Sequence, residues 1–219
     1  MTHDAMDQRD IWVHLGTATI SDALDRLAIE GQCAGLLPLD ASMSFAGPAF
    51  TVRYGPCGVV RGSVGDYIDD VAAGAVVALD NGGRLDATVW GDILTEVACA
   101  RGVAATVIHG ICRDTAFARE MDYNLYSLSH WMRTGKDRVQ VEEIQGPADL
   151  GGVRVVSGDW LVGDADGVVA VPLSRMEEVL EVASSIGAAE DRIRKMIREG
   201  VPLVEARRDV GYHKLQTHS

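Results

Sequence analysis

The chain is poor in aromatic residues, at 5%, and has only six prolines and three lysines, Lys136, Lys195 and Lys214. Positive charge is scarce as well: 20 Lys and Arg face 32 Asp and Glu, for a net charge of −12. That deficit excludes a nucleic-acid partner, because phosphate backbones are held by clustered Lys and Arg. Four cysteines (Cys33, Cys57, Cys99 and Cys112) show no CxxC spacing, so they read as free thiols in a reducing compartment. No apolar run reaches membrane-spanning length and no basic-then-apolar leader opens the chain. The expected setting is cytoplasmic, without a membrane partner.

What is present fits one compact enzyme-sized unit. With 219 residues and 47% hydrophobic content, the chain can bury one substantial core, and a single domain over 1–219 is expected. Helical spacing covers 10–30, with Thr19 or Ser21 as candidate N-cap. Strands are expected at 49–54, 75–79, 88–90, 103–109, 125–128, 152–156 and 168–171. Helices are expected at 63–73, at 95–101, and as a long amphipathic run over 173–199 with a break near Gly187. The polar tail 207–219 is expected to be partly disordered or to drape over a neighbour. Strands alternating with helices indicate α/β architecture.

The chemistry concentrates around Gly91-Asp92-Ile93-Leu94 and Arg113-Asp114, with twenty residues between Asp92 and Arg113. The helix-turn-strand unit between them begins and ends on one side of a sheet, so the two pairs can meet. Two carboxylates and a guanidinium there suit a hard divalent cation and an anionic substrate. On spacing alone, a surface ion pair beside a solvated helix-start Asp fits equally. The global negative field repels an anionic substrate, so capture must come from local cations. Zinc is disfavoured because His109 and His130 stand alone, and His109 reads more readily as a structural histidine than as a ligand partner. No lysine lies in an apolar strand that would depress its pKa for Schiff-base chemistry. Cys112, next to Arg113, is a candidate nucleophile, but its place at the end of an apolar strand favours packing.

The Gly91-Asp92-x-Leu94 motif followed by Arg113-Asp114 resembles the signature of the class II pyruvate aldolases acting on 4-hydroxy-4-methyl-2-oxoglutarate and 4-carboxy-4-hydroxy-2-oxoadipate. That family shares its fold with the regulator of ribonuclease E activity. Three further stretches carry the likeness in the same order: Thr17 to Asp25, Gly47 to Arg53 and Gly158 to Pro172. The resemblance implies a single-domain layered β/β/α sandwich of the swivelling type with a C-terminal helix, assembled as homotrimers or homohexamers. It implies retro-aldol cleavage of a small anionic 4-hydroxy-2-oxo acid to pyruvate through a metal-bound enolate, with oxaloacetate decarboxylation through the same intermediate.

In that reading Asp114 binds Mg²⁺ or Mn²⁺, and Arg113 holds the developing enolate oxygen. Asp92 orients or deprotonates a metal-bound water, and the backbone amides of Gly91, Asp92, Ile93 and Leu94 receive the substrate carboxylate. Glu190, on the C-terminal helix, matches by position an acid that a neighbouring subunit lends to the site. The chain departs from the family pattern after Asp122, over Tyr126 to Lys136, so His130, Arg133 and Lys136 are candidates for the distal part of a different substrate. The rival reading is a non-catalytic regulatory oligomer of the ribonuclease E regulator type. That protein lacks the acid after the arginine, which this chain retains as Asp114.

Overall fold

A computed structural model describes residues 8–59 and 62–211. The chain opens with helix α1 (Gln8–Arg26), then two short strands, β1 (Gln32–Cys33) and β2 (Leu37–Pro38), and the long strand β3 (Phe45–Pro56). Strand β4 (Val76–Asp80), helix α2 (Asp92–Arg101) and strand β5 (Ala105–Cys112) follow, then helix α3 (Thr115–Glu120) and strand β6 (Leu125–His130). The remainder is β7 (Val139–Ile144), the hairpin of β8 (Ala148–Leu150) and β9 (Val153–Val155), the pair β10 (Trp160–Asp164) and β11 (Gly167–Val171), and helices α4 (Met176–Arg198) and α5 (Leu203–Asp209).

Strand order in the main sheet is β1-β11-β10-β3-β4-β5-β6-β2, with β7 also paired to β3. The β3, β4, β5 and β6 neighbours run parallel, whereas β10 and β11 pair antiparallel with each other, and β10 joins β3 antiparallel. Alternation along β4 divides the core. Val77 and Leu79 pack with α2 residue Ala98 and with Val103 and Ile108. Val76 and Ala78 point the other way, into a layer closed by Leu150, Leu161 and Val168. Strand β10 repeats the device: Leu161 joins that inner layer, while Trp160 and Val162 face α1 and α4. The result is an α/β fold, as the sequence pattern indicates, layered into a sandwich with a C-terminal helix as the resemblance implies, with helices on both outer faces.

Several local expectations need correction. The helix over 10–30 spans Gln8–Arg26 and is kinked at Gly16, whose backbone (φ 74°, ψ 159°) lies where a side chain is strained. Neither Thr19 nor Ser21 caps it. The helix restarts at Thr17, whose N–H and hydroxyl both donate to the Asp164 carboxylate at 2.7 Å. A cap from so distant a strand is invisible to local sequence rules. The long C-terminal helix is unbroken at Gly187, which packs close to Leu15 of α1. Residues 63–73 form only a short 3₁₀ turn, Asp66–Asp70. The expected strand at 88–90 is two isolated bridges from Thr88, to Ile111 and to Thr134. Strands β7 and β8 lay outside the sequence expectations, because β7 reads as charged and half-buried. Of the tail 207–219, α5 covers the first residues, and residues beyond 211 lie outside the described part.

Candidate active site at the carboxyl ends of the parallel strands

Strand β4 ends at Asp80, and a pinned loop carries the chain to Gly91 at the start of α2. Asn81 is buried and its side-chain amide donates to the Ala87 carbonyl at 3.0 Å. Thr88 then ties its N–H and hydroxyl to the Arg133 carbonyl at 3.0 and 3.1 Å. These bonds feed Trp90-Gly91-Asp92 along the end of β5, where the Arg113 N–H donates to the Trp90 carbonyl at 3.0 Å. The two sequence pairs therefore meet, at the carboxyl ends of the parallel strands where α/β proteins place ligands.

Contacts between the pairs are close. The Asp92 N–H donates to Asp114 Oδ2 at 3.2 Å, and Arg113 Nε lies 3.3 Å from the same oxygen. Asp114 itself adopts the left-handed conformation, φ 55° and ψ 38°, immediately before α3. A non-glycine residue is held there only when its surroundings fix it. Gly91 sits in the same crowding: a Cβ at that position would fall 2.7 Å from Asp114 Oδ2 and 3.1 Å from Arg113 Nε, so either side chain would have to shift. Asp92 Oδ1 accepts the Ile93 N–H at 2.9 Å.

Gly91, Asp92 and Arg113 border a cavity of about 240 Å³ whose lining also includes Thr88, Trp90, Leu94 and Lys136. Arg113 and Lys136 give it two cations in an acidic protein. Among the described residues, no three His, Cys, Asp or Glu side chains cluster to hold a metal. A site with one or two carboxylates suits Mg²⁺ or Mn²⁺, which retain water, and does not suit zinc. Asp114 fits that role chemically: Oδ2 is engaged by Asp92 and Arg113, while Oδ1 makes no hydrogen bond among the described residues.

Other candidates separate from this group. His109 Nδ1 contacts Asp149 Oδ1 at 2.8 Å and the Asp149 carbonyl at 3.1 Å, the satisfied structural role expected of it. Cys112 is fully buried, its Sγ 3.6 Å from Ser127 Oγ, and burial pushes its thiol up, against a thiolate nucleophile. Glu190 lies on α4, paired with Arg194 at 2.9 Å, and shares no pocket with Arg113 within one chain. Of the three distal candidates, Lys136 lines the cavity. His130 borders a separate depression with Leu85 and Trp131, and Arg133 stands near Asp86. Sequence reasoning missed Thr88, Asn81 and Thr95, which position the loop. The one available signal was a threonine four residues after Gly91, where a hydroxyl reaches the i−4 carbonyl.

Fold and site together define an α/β sandwich with a cation-and-acid pocket at its parallel-strand ends. Residues 17–170 match the model of the RraA-like family, described as Aldolase/RraA, and the chain belongs to that family. It is 36% identical over 205 residues to Protein DlpA of Legionella pneumophila, covering 92% of this chain but 33% of DlpA. The chain thus spans about a third of that relative's length. It is 28% identical over 193 residues to a protein of Halalkalibacterium halodurans named "Putative 4-hydroxy-4-methyl-2-oxoglutarate aldolase", covering 87% of this chain and 88% of that one. Among solved structures, an uncharacterized protein from Pseudomonas syringae superposes with TM-score 0.84 at 39% identity, covering 90% of this chain and 95% of that one. Streptomyces coelicolor RraAS2, described as an unusual member of the RNase ES inhibitor RraA family, superposes with TM-score 0.78 at 25% identity, covering 84% and 95%. Among the described residues, no helix is long and apolar enough to cross a membrane.

Proposed function

We propose that the chain is a divalent-metal-dependent carbon–carbon lyase that cleaves a 4-hydroxy-2-oxo acid to pyruvate and a second carbonyl compound. The observation that carries this reading is the convergence of Asp92 and Arg113 on one small cavity, with Asp114 tied to both of them. The aldolase name of the Halalkalibacterium relative supports the same class.

A cation bound at Asp114 with Mg²⁺ or Mn²⁺ chemistry would polarise the 2-oxo group and offset negative charge. The protein's own groups do the rest. The Arg113 guanidinium donates to the 2-oxo oxygen as the C3–C4 bond breaks and its electron pair moves into the pyruvate enolate. The Asp92 carboxylate takes the 4-hydroxyl proton, directly or through one water, so that C4 leaves as a carbonyl, and a proton from the same acid or water goes to C3 of the enolate to give pyruvate. The amides at the start of α2 favour the substrate carboxylate. Oxaloacetate decarboxylation asks for the same enolate stabilisation without the base. An acid lent by Glu190 of a neighbouring copy, in a homotrimer or homohexamer, belongs to the same reading.

The test is pyruvate release from a panel of 4-hydroxy-2-oxo acids and from oxaloacetate, with Mg²⁺, with Mn²⁺ and with chelator. Release that needs the metal and disappears in Asp114→Ala, with the fold intact, is expected. Full activity in chelator or in Asp114→Ala would overturn the metal assignment. No release from any substrate would favour the regulatory reading instead.

A further inference from the structure

The Gly91–Asp92 peptide is held on both sides. Its carbonyl accepts the Thr95 N–H at 3.1 Å and the Thr95 hydroxyl at 3.0 Å. Its N–H, that of Asp92, donates to Asp114 Oδ2 at 3.2 Å. The Thr95 hydroxyl is itself aimed: it accepts the indole N–H of Trp90 at 2.9 Å, which leaves its own proton for Gly91. Trp90 and Thr95 are 2% and 1% exposed, and the Trp90 ring stacks on Tyr123 with an interplanar angle of 5°. One continuous relay runs from the packed core to the Asp114 carboxylate.

This arrangement exceeds what helix formation asks for. A threonine bonding back to the i−4 carbonyl gives a helix no stability and tends to weaken it slightly. Nor does this core require every indole to find an acceptor, since the buried N–H groups of Trp12 and Trp160 have no partner among the described residues. The bond at Trp90 falls where it fixes the direction of a hydroxyl, and that hydroxyl fixes a peptide plane. Asp114 relies on such support, because its side chain makes no capping hydrogen bond to α3 and Oδ2 is held by the Asp92 amide and Arg113.

We propose that Thr95 is a positioning residue for Asp114. Its hydroxyl, oriented by Trp90, sets the rotation of the Gly91–Asp92 peptide, and the Asp92 amide then holds Oδ2 so that Oδ1 faces a divalent cation. The inference rests on the reading of Asp114 as the metal-binding acid.

Two readouts on the full chain separate this proposal from that reading. The first is Mn²⁺ affinity without substrate, from the paramagnetic signal of free Mn²⁺, for wild type, Thr95→Val, Thr95→Ser and Asp114→Asn. The second is hydrogen exchange at the Asp92 amide in metal-free protein. Thr95→Val keeps the shape and removes the hydroxyl, so Mn²⁺ affinity should fall about tenfold and Asp92 exchange should quicken by a similar factor, the scale of one lost hydrogen bond. Thr95→Ser restores the hydroxyl and should stay within about twofold of wild type on both. If the valine variant fails to fold, Thr95→Ala is compared with Thr95→Ser in the same way. Wild-type behaviour in the hydroxyl-less variant, or equal losses in valine and serine variants, would overturn the proposal. Undiminished Mn²⁺ binding in Asp114→Asn would instead remove the metal reading, while Asp92 exchange still reports whether Thr95 holds the peptide.

Discussion

The backbone amide of Asp92 donates to the carboxylate of Asp114 at 3.2 Å, joining the first turn of α2 to the residue that precedes α3. The contact leaves no room for a side chain between the two elements. Gly91→Ala would put a methyl group 2.7 Å from Asp114 Oδ2, and the carboxylate has to turn away. The expected outcome is a folded protein that has lost at least tenfold in Mn²⁺ affinity and in pyruvate release, consistent with one displaced charged contact. Calorimetric titration with Mn²⁺ beside a thermal melt checks it. Unchanged binding would show that Asp114 tolerates a different orientation.

Arg113 acts on charge that develops during cleavage. Arg113→Ala should lose about 2–4 kcal/mol of transition-state stabilisation, mostly in kcat, as for other lost oxyanion donors. Arg113→Lys should recover little, because an ammonium cannot reproduce the planar fork. Steady-state kinetics on the best substrate measures both, and a lysine variant equal to wild type would refute the geometric part of the argument.

Specificity should follow Lys136 rather than Arg133. Lys136 lines the cavity, whereas Arg133 gives its carbonyl to Thr88. Its guanidinium stands near Asp86, whose carboxyl is held below its ordinary range first by Arg84. Lys136→Ala should therefore change relative kcat/KM among 4-hydroxy-2-oxo acids of different length and leave oxaloacetate turnover nearly unchanged. Arg133→Ala should not alter the ranking. Equal losses for long and short substrates in Lys136→Ala would place that residue in folding or in the chemical step.

Stability should decline on the alkaline side. Burial pushes the Cys33 thiol from 9.0 up to about 12, and burial likewise raises Cys112 and Tyr54. Each group gives up its proton later in the folded chain than in the unfolded one. Their contribution is therefore complete below about pH 9 and is lost progressively as the pH climbs toward 12. Urea titrations between these limits should show a falling unfolding free energy, shallower in Cys33→Ala. A flat profile would contradict the burial of these groups.

Much of this arrangement was legible in the sequence because it rests on short-range pattern. Short apolar runs gave the buried strands, and the spacing from Asp92 to Arg113 announced that a helix and a returning strand would bring both pairs to the same side of the sheet. What escaped depends on partners distant in sequence. Thr17 is capped by Asp164, Thr88 is tied to Arg133, and β7 survives as a charged strand because β3 supplies its ladder. The cavity's use of Lys136 rather than Arg133 turned on the direction of one turn, which composition does not encode.

Strand β3 carries a last consequence, for how the chain comes to be made. Its first half pairs with β10 and its second with β4 and β7, so one strand serves partners from three separate parts of the sequence. During synthesis Gly47 leaves the ribosome long before its register partner Leu161 exists. Until then β3 presents an unpaired apolar edge, the kind of surface on which nascent chains associate wrongly. Assembly of the whole sandwich must wait for that late strand, and the newly made chain is most exposed to aggregation in the interval before β10 arrives.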